Sequence, residues 1–396
     1  MDTFYNTIPQ ELLTKLTTIE NPTSLFHLIK KADNSQECHY EIETINKSPP
    51  MPSKKENNTY FHDSIQKTIR ISKILFYERI TFRIYSKESG ITREIVVSFV
   101  PIHKSAFHID KYLPYLVLWF KLMNMLCPNN MCNKKLTIMI YFTNIKKKLP
   151  LSNSEKTLIT SKHINSAYTY ACIDHGEITI YRHEEWFKVL LHECLHSFCM
   201  DFADFADFAD FADFADTKKT NKGGLKILTH DMMYVTNPVY SETYTEVWAE
   251  LLQCALIAYQ DCGNIPSIFS LLFQFYSRLE ILHSLIQANK ILSYYGYTFS
   301  DVREKKHFKQ ETHAFEYYIL KSLLMLRADT FYKWCLKNNG NNIIPFSRNE
   351  AEKNILSFFD LLGNCCSCSQ IKKANTLVKK VNPTDKRTLA MSIVGF

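Results

Sequence analysis

The sequence predicts an α+β protein in which a small mixed sheet is followed by a helical C-terminal half. Two observations carry this. Between about residues 72 and 182, short runs rich in Ile, Val, Phe and Tyr are bounded by polar turns, which is the mark of strands. After residue 240, apolar residues recur at helical spacing almost without a break. A low glycine count of 9, with 13% aromatics, agrees with a helix-rich interior.

Residues 1–70 are polar and irregular, with a Pro-rich linker at Ser48–Lys54, and read as a separate N-terminal region of unknown role. Residues 71–262 read as the core of the protein. Its expected strands are Arg79–Tyr85, Arg93–Val100, Leu136–Phe142 and Glu177–Tyr181, with a helix over Ile109–Leu126. From Glu184 the period changes: Phe187, Leu191, Leu195 and Phe198 mark one face of a helix over Trp186–Phe198. Further helices are expected at 242–260, 266–290, 308–337 and 349–362, so residues 263–369 form a helical subdomain. Residues 370–396 read as a mobile basic tail carrying Lys372, Lys373, Lys379, Lys380, Lys386 and Arg387. Lys146, Lys147 and Lys148 follow a strand and are expected in an exposed turn.

Composition narrows the function. Over 396 residues the net charge is +7, with 46% apolar and 22% charged residues. A disordered chain would need fewer apolar residues, and so thin a charge gives no reason to expect specific nucleic-acid binding. No basic-then-apolar leader is visible and no stretch is long and apolar enough to span a bilayer, so an intracellular setting is expected. The 12 cysteines have no framework spacing and are read mostly as reduced thiols. Cys365, Cys366 and Cys368 lack the spacing and the fourth ligand of a metal site. With no glycine-rich phosphate loop and no G-x-S-x-G elbow, phosphoryl transfer and serine hydrolysis have no support.

One repeat is plain: Asp201 to Asp216 is five copies of Asp-Phe-Ala closed by a final Asp. On a helix a three-residue period drifts by about 60° per copy, so the Phe side chains spiral instead of sharing a face. An expanded tract lengthening a helix end or surface loop is the simplest account.

The chemistry lies at His192-Glu193-Cys194-Leu195-His196. Histidines at i and i+4 on a helix lie one above the other and can share a metal. Glu193 beside them can take a proton from a metal-activated water. Composition gives roughly 0.03 chance matches to H-E-x-x-H in a chain like this. Zinc needs a third protein ligand. Cys199 and Phe202 stand where an extended H-E-x-x-H-x-x-G-x-x-H pattern would need Gly and His. The expected third ligand is Glu246, because ten of the twelve residues from Val247 to Ala258 are apolar and a carboxylate on so buried a helix needs a cation. Glu250, four residues on, would accept a hydrogen bond from a ligand histidine. Glu242, His230 and Asp231 are the rivals for the ligand position.

His192-Glu193-x-x-His196 with Glu246-x-x-Ala249-Glu250 fifty residues later resembles the gluzincin class of zinc metallopeptidases. Ile164–Thr169, Ile178–Val189 and Met200-Asp201-Phe202 are similar to segments of metallopeptidases of large nucleocytoplasmic DNA viruses. The resemblance covers about residues 160–260. It implies a zincin-like domain with an active-site helix and one Zn2+ ion held by His192, His196 and Glu246. It also implies Glu193 as general base, a protein or peptide substrate, and a host-cytoplasmic or virion setting. Tyr240 and Tyr244, flanking Glu246, are candidate donors to the oxyanion, as is His230. Asn165 is a weaker candidate for touching substrate, and Glu177–Tyr181 is expected to pair with an extended peptide. The alternative is a catalytically inactive structural or interaction protein that keeps the fold.

Overall fold

One mixed sheet of six strands organises the N-terminal half, in the order β1-β2-β3-β4-β6-β5. The strands are Gln36–Ile45 (β1), Tyr77–Ser86 (β2), Thr92–Pro101 (β3), Lys135–Phe142 (β4), Ala167–Thr169 (β5) and His175–Ile180 (β6). The computed structural model describes residues 10–51, 62–72, 74–102, 109–129, 131–151, 157–203, 223–381 and 385–394. β1, β2 and β3 are antiparallel neighbours, β4 is parallel to both β3 and β6, and β5 closes the sheet antiparallel to β6. The parallel β3–β4 pair needs a crossover, which contains the apolar helix Leu113–Leu126 (α2). Ile80, Phe82 and Ile84 on β2, and Ile95, Val97 and Phe99 on β3, alternate along their strands and are buried. Phe120 of α2 meets Phe82 edge-on at 5.1 Å.

Trp186–Ser197 (α3), Tyr240–Asp261 (α4) and Pro266–Tyr294 (α5) follow, with α4 buried along most of its length. A continuous apolar core runs from Leu12 to Val394. The mixed α+β class and the four strands expected from the sequence are therefore present.

Several expectations change. The N-terminal residues do not stand apart: all ten residues of β1 pair with β2, and Thr23–Ser35 (α1) buries Leu25, Phe26, Leu28, Ile29 and Ala32. β1 is a sheet edge whose side chains are mostly exposed, so its sequence reads as polar. The expected helix 308–337 is broken into a two-residue strand His307–Phe308, a π-helix Phe315–Leu320 and two helices, Lys321–Met325 and Ala328–Asn338. The strand Glu177–Tyr181 is not a free edge, because β6 is paired on both sides; β5 is the outer strand.

The tail is not loose either. Cys368–Val378 is helical, and Leu389, Met391 and Val394 are buried. The apolar residues after Arg387 outweigh the basic ones before it. Lys147 is 3% exposed rather than in an open turn, because it pairs with the buried Glu185. Ten cysteines are free thiols, whereas Cys132 and Cys172 form a disulfide.

Of the Asp-Phe-Ala tract, the first copy is structural. Phe202 packs on Phe346 at 4.7 Å, Phe358 at 5.5 Å and Tyr244 at 6.0 Å. The tract from Asp204 to Asp216 lies outside the described residues. Deleting Asp204–Ala215 spares Asp201 and Phe202 and shortens a connection, whose length costs little. Differential scanning fluorimetry is expected to show a melting temperature within about 4 °C of wild type, the shift that roughly 1 kcal/mol produces in a large domain. A fall beyond about 10 °C would refute that expectation.

Candidate metal centre

β6 delivers the chain to α3, whose 3.6-residue period places His192 and His196 one turn apart on one face. Their rings stand edge to face at 4.6 Å, and the two Nε2 atoms are 3.0 Å apart. From α4, Oε2 of Glu242 comes within 3.1 Å of Nε2 of His196 and 3.4 Å of Nε2 of His192. These three atoms define a triangle with edges of 3.0–3.4 Å. Ligands about 2.0–2.1 Å from a tetrahedral zinc stand roughly 3.3 Å from one another, so the donor set and its spacing fit that ion. Among the described residues two groups bring three possible ligand atoms together: His192, His196 and Glu242, and Cys132, Cys172 and Cys199, of which the second is no thiolate set because Cys132 and Cys172 are joined in a disulfide.

Glu246 does not take the expected ligand position. Its Oε1 lies 3.0 Å from Nδ1 of His192, on the far side of the ring from the convergence point, and its Oε2 pairs with Lys188. Glu250 does not reach the histidines. It pairs with Lys321 and accepts from Oγ of Ser284 at 3.0 Å. Glu242, Glu246 and Glu250 are spaced four apart on one stripe of α4, so the expected assignment is shifted by one helical turn. The stripe is visible in the sequence; which turn of it faces the histidines depends on how α4 packs against α3.

A carboxylate stands behind each histidine ring. Asp201 contacts Nδ1 of His196 and also accepts from Oγ1 of Thr245 at 3.0 Å. Asp201 favours the Nδ1–H tautomer of His196 and so leaves its Nε2 lone pair free for a cation, while Glu246 sets a negative charge 3.0 Å from Nδ1 of His192. Sequence analysis placed Asp201 in a segment similar to viral metallopeptidases but gave it no role of its own, because it opens the low-complexity tract.

Electrostatics agree with a cation-binding cluster. Burial works against charge on every group, yet Glu242 and Asp201 hold the His196 imidazole well above its usual range. Burial is likewise outweighed at Glu242, where His196 and His192 hold the carboxyl well below the usual carboxylate range. Glu246 is held low in the same way by Lys188 and His192. Glu193 goes in the other direction, because burial raises its carboxyl.

Glu193 and His192 line a narrow cleft of about 30 Å³, with Lys188, Glu246, Tyr317, Met391 and the stretch Ile164–Ala167. Asn165 is in that lining, as expected, and its side-chain oxygen accepts from Oγ1 of Thr312 at 2.9 Å. The tyrosine in the cleft is Tyr317, whose ring is 6.0 Å from that of His192. No pattern singles it out among 22 tyrosines, and it sits in the π-helix that the sequence concealed.

Tyr244 is instead buried, donating to the Ile344 carbonyl at 2.6 Å within a cluster of Phe202, Phe331, Phe346 and Phe358. Tyr240 packs on Phe359. His230 is exposed, and Asp231 pairs with Arg303 at 3.7 Å. None of these four is among the converging groups. Cys365 and Cys366 are buried and Cys368 is exposed, so they do not face a common point as a ligand set.

Comparison of the chain with family models, curated proteins and solved structures finds no match in any of the three.

Proposed function

We propose that this chain is a zinc-dependent endopeptidase of the gluzincin type, acting on a protein or peptide substrate. The observation that supports it most is the convergence of Nε2 of His192, Nε2 of His196 and Oε2 of Glu242 on one point, with Glu193 beside them in the cleft. In this reading those three residues hold the ion, and Glu246 and Asp201 orient the two imidazoles. A zinc ion bound there supplies a Lewis acid and brings the pKa of a coordinated water to about 7.

The protein's own groups do the rest. Glu193 takes a proton from the attacking water and passes it to the departing amine. Burial raises its carboxyl, which makes it the better base for that exchange near neutrality. The Tyr317 hydroxyl is the candidate donor to the developing oxyanion, in place of Tyr240 and Tyr244. An extended substrate chain pairs with the outer edge of β5, which leads from the cleft residues Asn165 and Ser166.

Glu193→Gln tests the reading. The variant is expected to keep its zinc, by elemental analysis, and to lose about 10²–10⁴-fold in kcat against a quenched-fluorescence peptide library. Equal cleavage by wild type and variant would reject Glu193 as the base. Zinc-loaded wild type that cleaves nothing would favour a metal-stabilised structural protein.

A further inference from the structure

The cleft at Glu193 has space for one or two waters, not for an extended peptide. Part of its wall is Met391, from a segment that belongs to no helix and no named strand. Residues 387–394 are instead held through their main chain. Leu149 N–H donates to the Arg387 carbonyl at 2.9 Å, and Leu389 N–H donates to the Lys147 carbonyl at 3.0 Å. The carbonyls of Thr388, Leu389 and Ala390 accept from Lys290, Tyr318 and His283, each at 2.8 Å.

Beyond them, two buried carboxylates collect the N–H groups. Glu185 accepts from Met391 and, at 3.1 Å, from Ser392. Glu280 accepts from Ile393 at 3.1 Å, from Val394 at 2.7 Å and from the Ser392 hydroxyl at 2.6 Å. Side chains of the surrounding elements thus receive successive main-chain groups from Thr388 to Val394, as a groove receives a peptide, while Leu389, Met391 and Val394 are buried beneath them. Between these two sets of anchors, the Met391 sulfur rests 3.2 Å from Nζ of Lys147 and 4.0 Å from Nζ of Lys188. Lys188 is the residue that pairs with Glu246, behind His192.

We propose that residues 387–394 are an intramolecular strap that keeps the cleft shut, with Met391 in the space a substrate chain must enter. The strap opens as a unit while α3 and α4 stay folded. Its consequence for activity rests on the peptidase reading, whereas its existence does not.

Hydrogen–deuterium exchange on the intact chain tests this without a substrate. The amides of Leu389, Met391, Ile393 and Val394 are expected to exchange at least about 10-fold faster than buried amides of α4, because sub-global opening needs less free energy than global unfolding. Ser392→Pro removes an N–H donor to Glu185 and the hydroxyl that donates to Glu280 and accepts from Nε2 of Gln253 on α4 at 3.1 Å, while every residue of the groove is kept. It is expected to speed exchange of the three amides Leu389, Ile393 and Val394 by a further 10-fold or so while leaving α4 within about 2-fold. Strap amides that exchange only with the slowest core amides, or that rise together with α4 in the variant, would overturn the proposal. Because exchange is read with no substrate present, a chain that hydrolyses no peptide would still reveal whether the strap opens by itself.

Discussion

Glu242→Ala is expected to leave the purified protein without zinc, while Glu246→Gln keeps a weakened site. Glu242 supplies one of three converging atoms, 3.1 and 3.4 Å from the two histidine nitrogens. Its loss leaves two imidazoles, which is short of the three protein ligands a catalytic zinc site uses. Glu246 meets the histidine pair at the back of the His192 ring, besides its pairing with Lys188, and removing such an orienting contact costs about 10–100-fold in metal affinity. Competition against a chromophoric chelator separates the two variants. Melting curves supply a second readout: excess zinc raises the melting temperature of a protein that binds it only when folded. The shift is expected for wild type, reduced for Glu246→Gln and absent for Glu242→Ala. If Glu246→Gln loses zinc and Glu242→Ala keeps it, the ligand belongs one turn further along α4, as the sequence alone suggests.

Lys321→Met is expected to be the most damaging single change away from the metal centre. Lys321 and Glu250 are both fully buried, and they pair with each other and with Ser284. Taking away one partner strands a carboxylate in the core, at a cost of about 3–5 kcal/mol. In a chain of this size that corresponds to a fall of roughly 10 °C in melting temperature.

Burial already raises the Glu250 carboxyl, and losing Lys321 raises it further. A carboxyl raised in the folded state makes no difference to stability below its unfolded value, where both states hold the proton. Above that value the unfolded state loses its proton first, and stability falls as pH rises towards the folded pKa. The penalty of Lys321→Met is therefore expected to be small near pH 4 and full at pH 8, read by urea denaturation at each pH. The double variant Lys321→Met/Glu250→Leu removes both charges, and is expected to recover most of the loss. A single variant that loses less than about 1 kcal/mol, or a double variant worse than the single, would contradict a buried ion pair of this strength.

What the residues disclosed in advance follows physical lines. Strands β2, β3, β4 and β6 were legible because buried runs of Ile, Val and Phe alternate between turns. The histidine pair was legible because its spacing is set within a single helix. The acid that meets the histidine Nε2 atoms was not, because Glu242, Glu246 and Glu250 share a stripe and only the packing of α4 on α3 chooses among them. Glu250 illustrates the difficulty: its burial called for a cation, and Lys321, 71 residues away, is that cation. Asp201 was hidden by the repetition around it, Tyr317 by a π-helix, and β1 by the exposure of a sheet edge.

The position of the Asp-Phe-Ala tract has a consequence for how this sequence can vary. It falls between the second histidine and Glu242, and both sides of it are fastened to α4: Asp201 at its start meets His196 and Thr245, and Glu242 lies within that same buried helix. Whole triplets gained or lost between those fixed points would change the count separating the candidate ligands, with Asp201 and α4 still holding them in place. On the metal-site reading, a change in copy number leaves the candidate ligands in place. A search that demands a set interval between the histidines and the acid will overlook chains whose tract has grown.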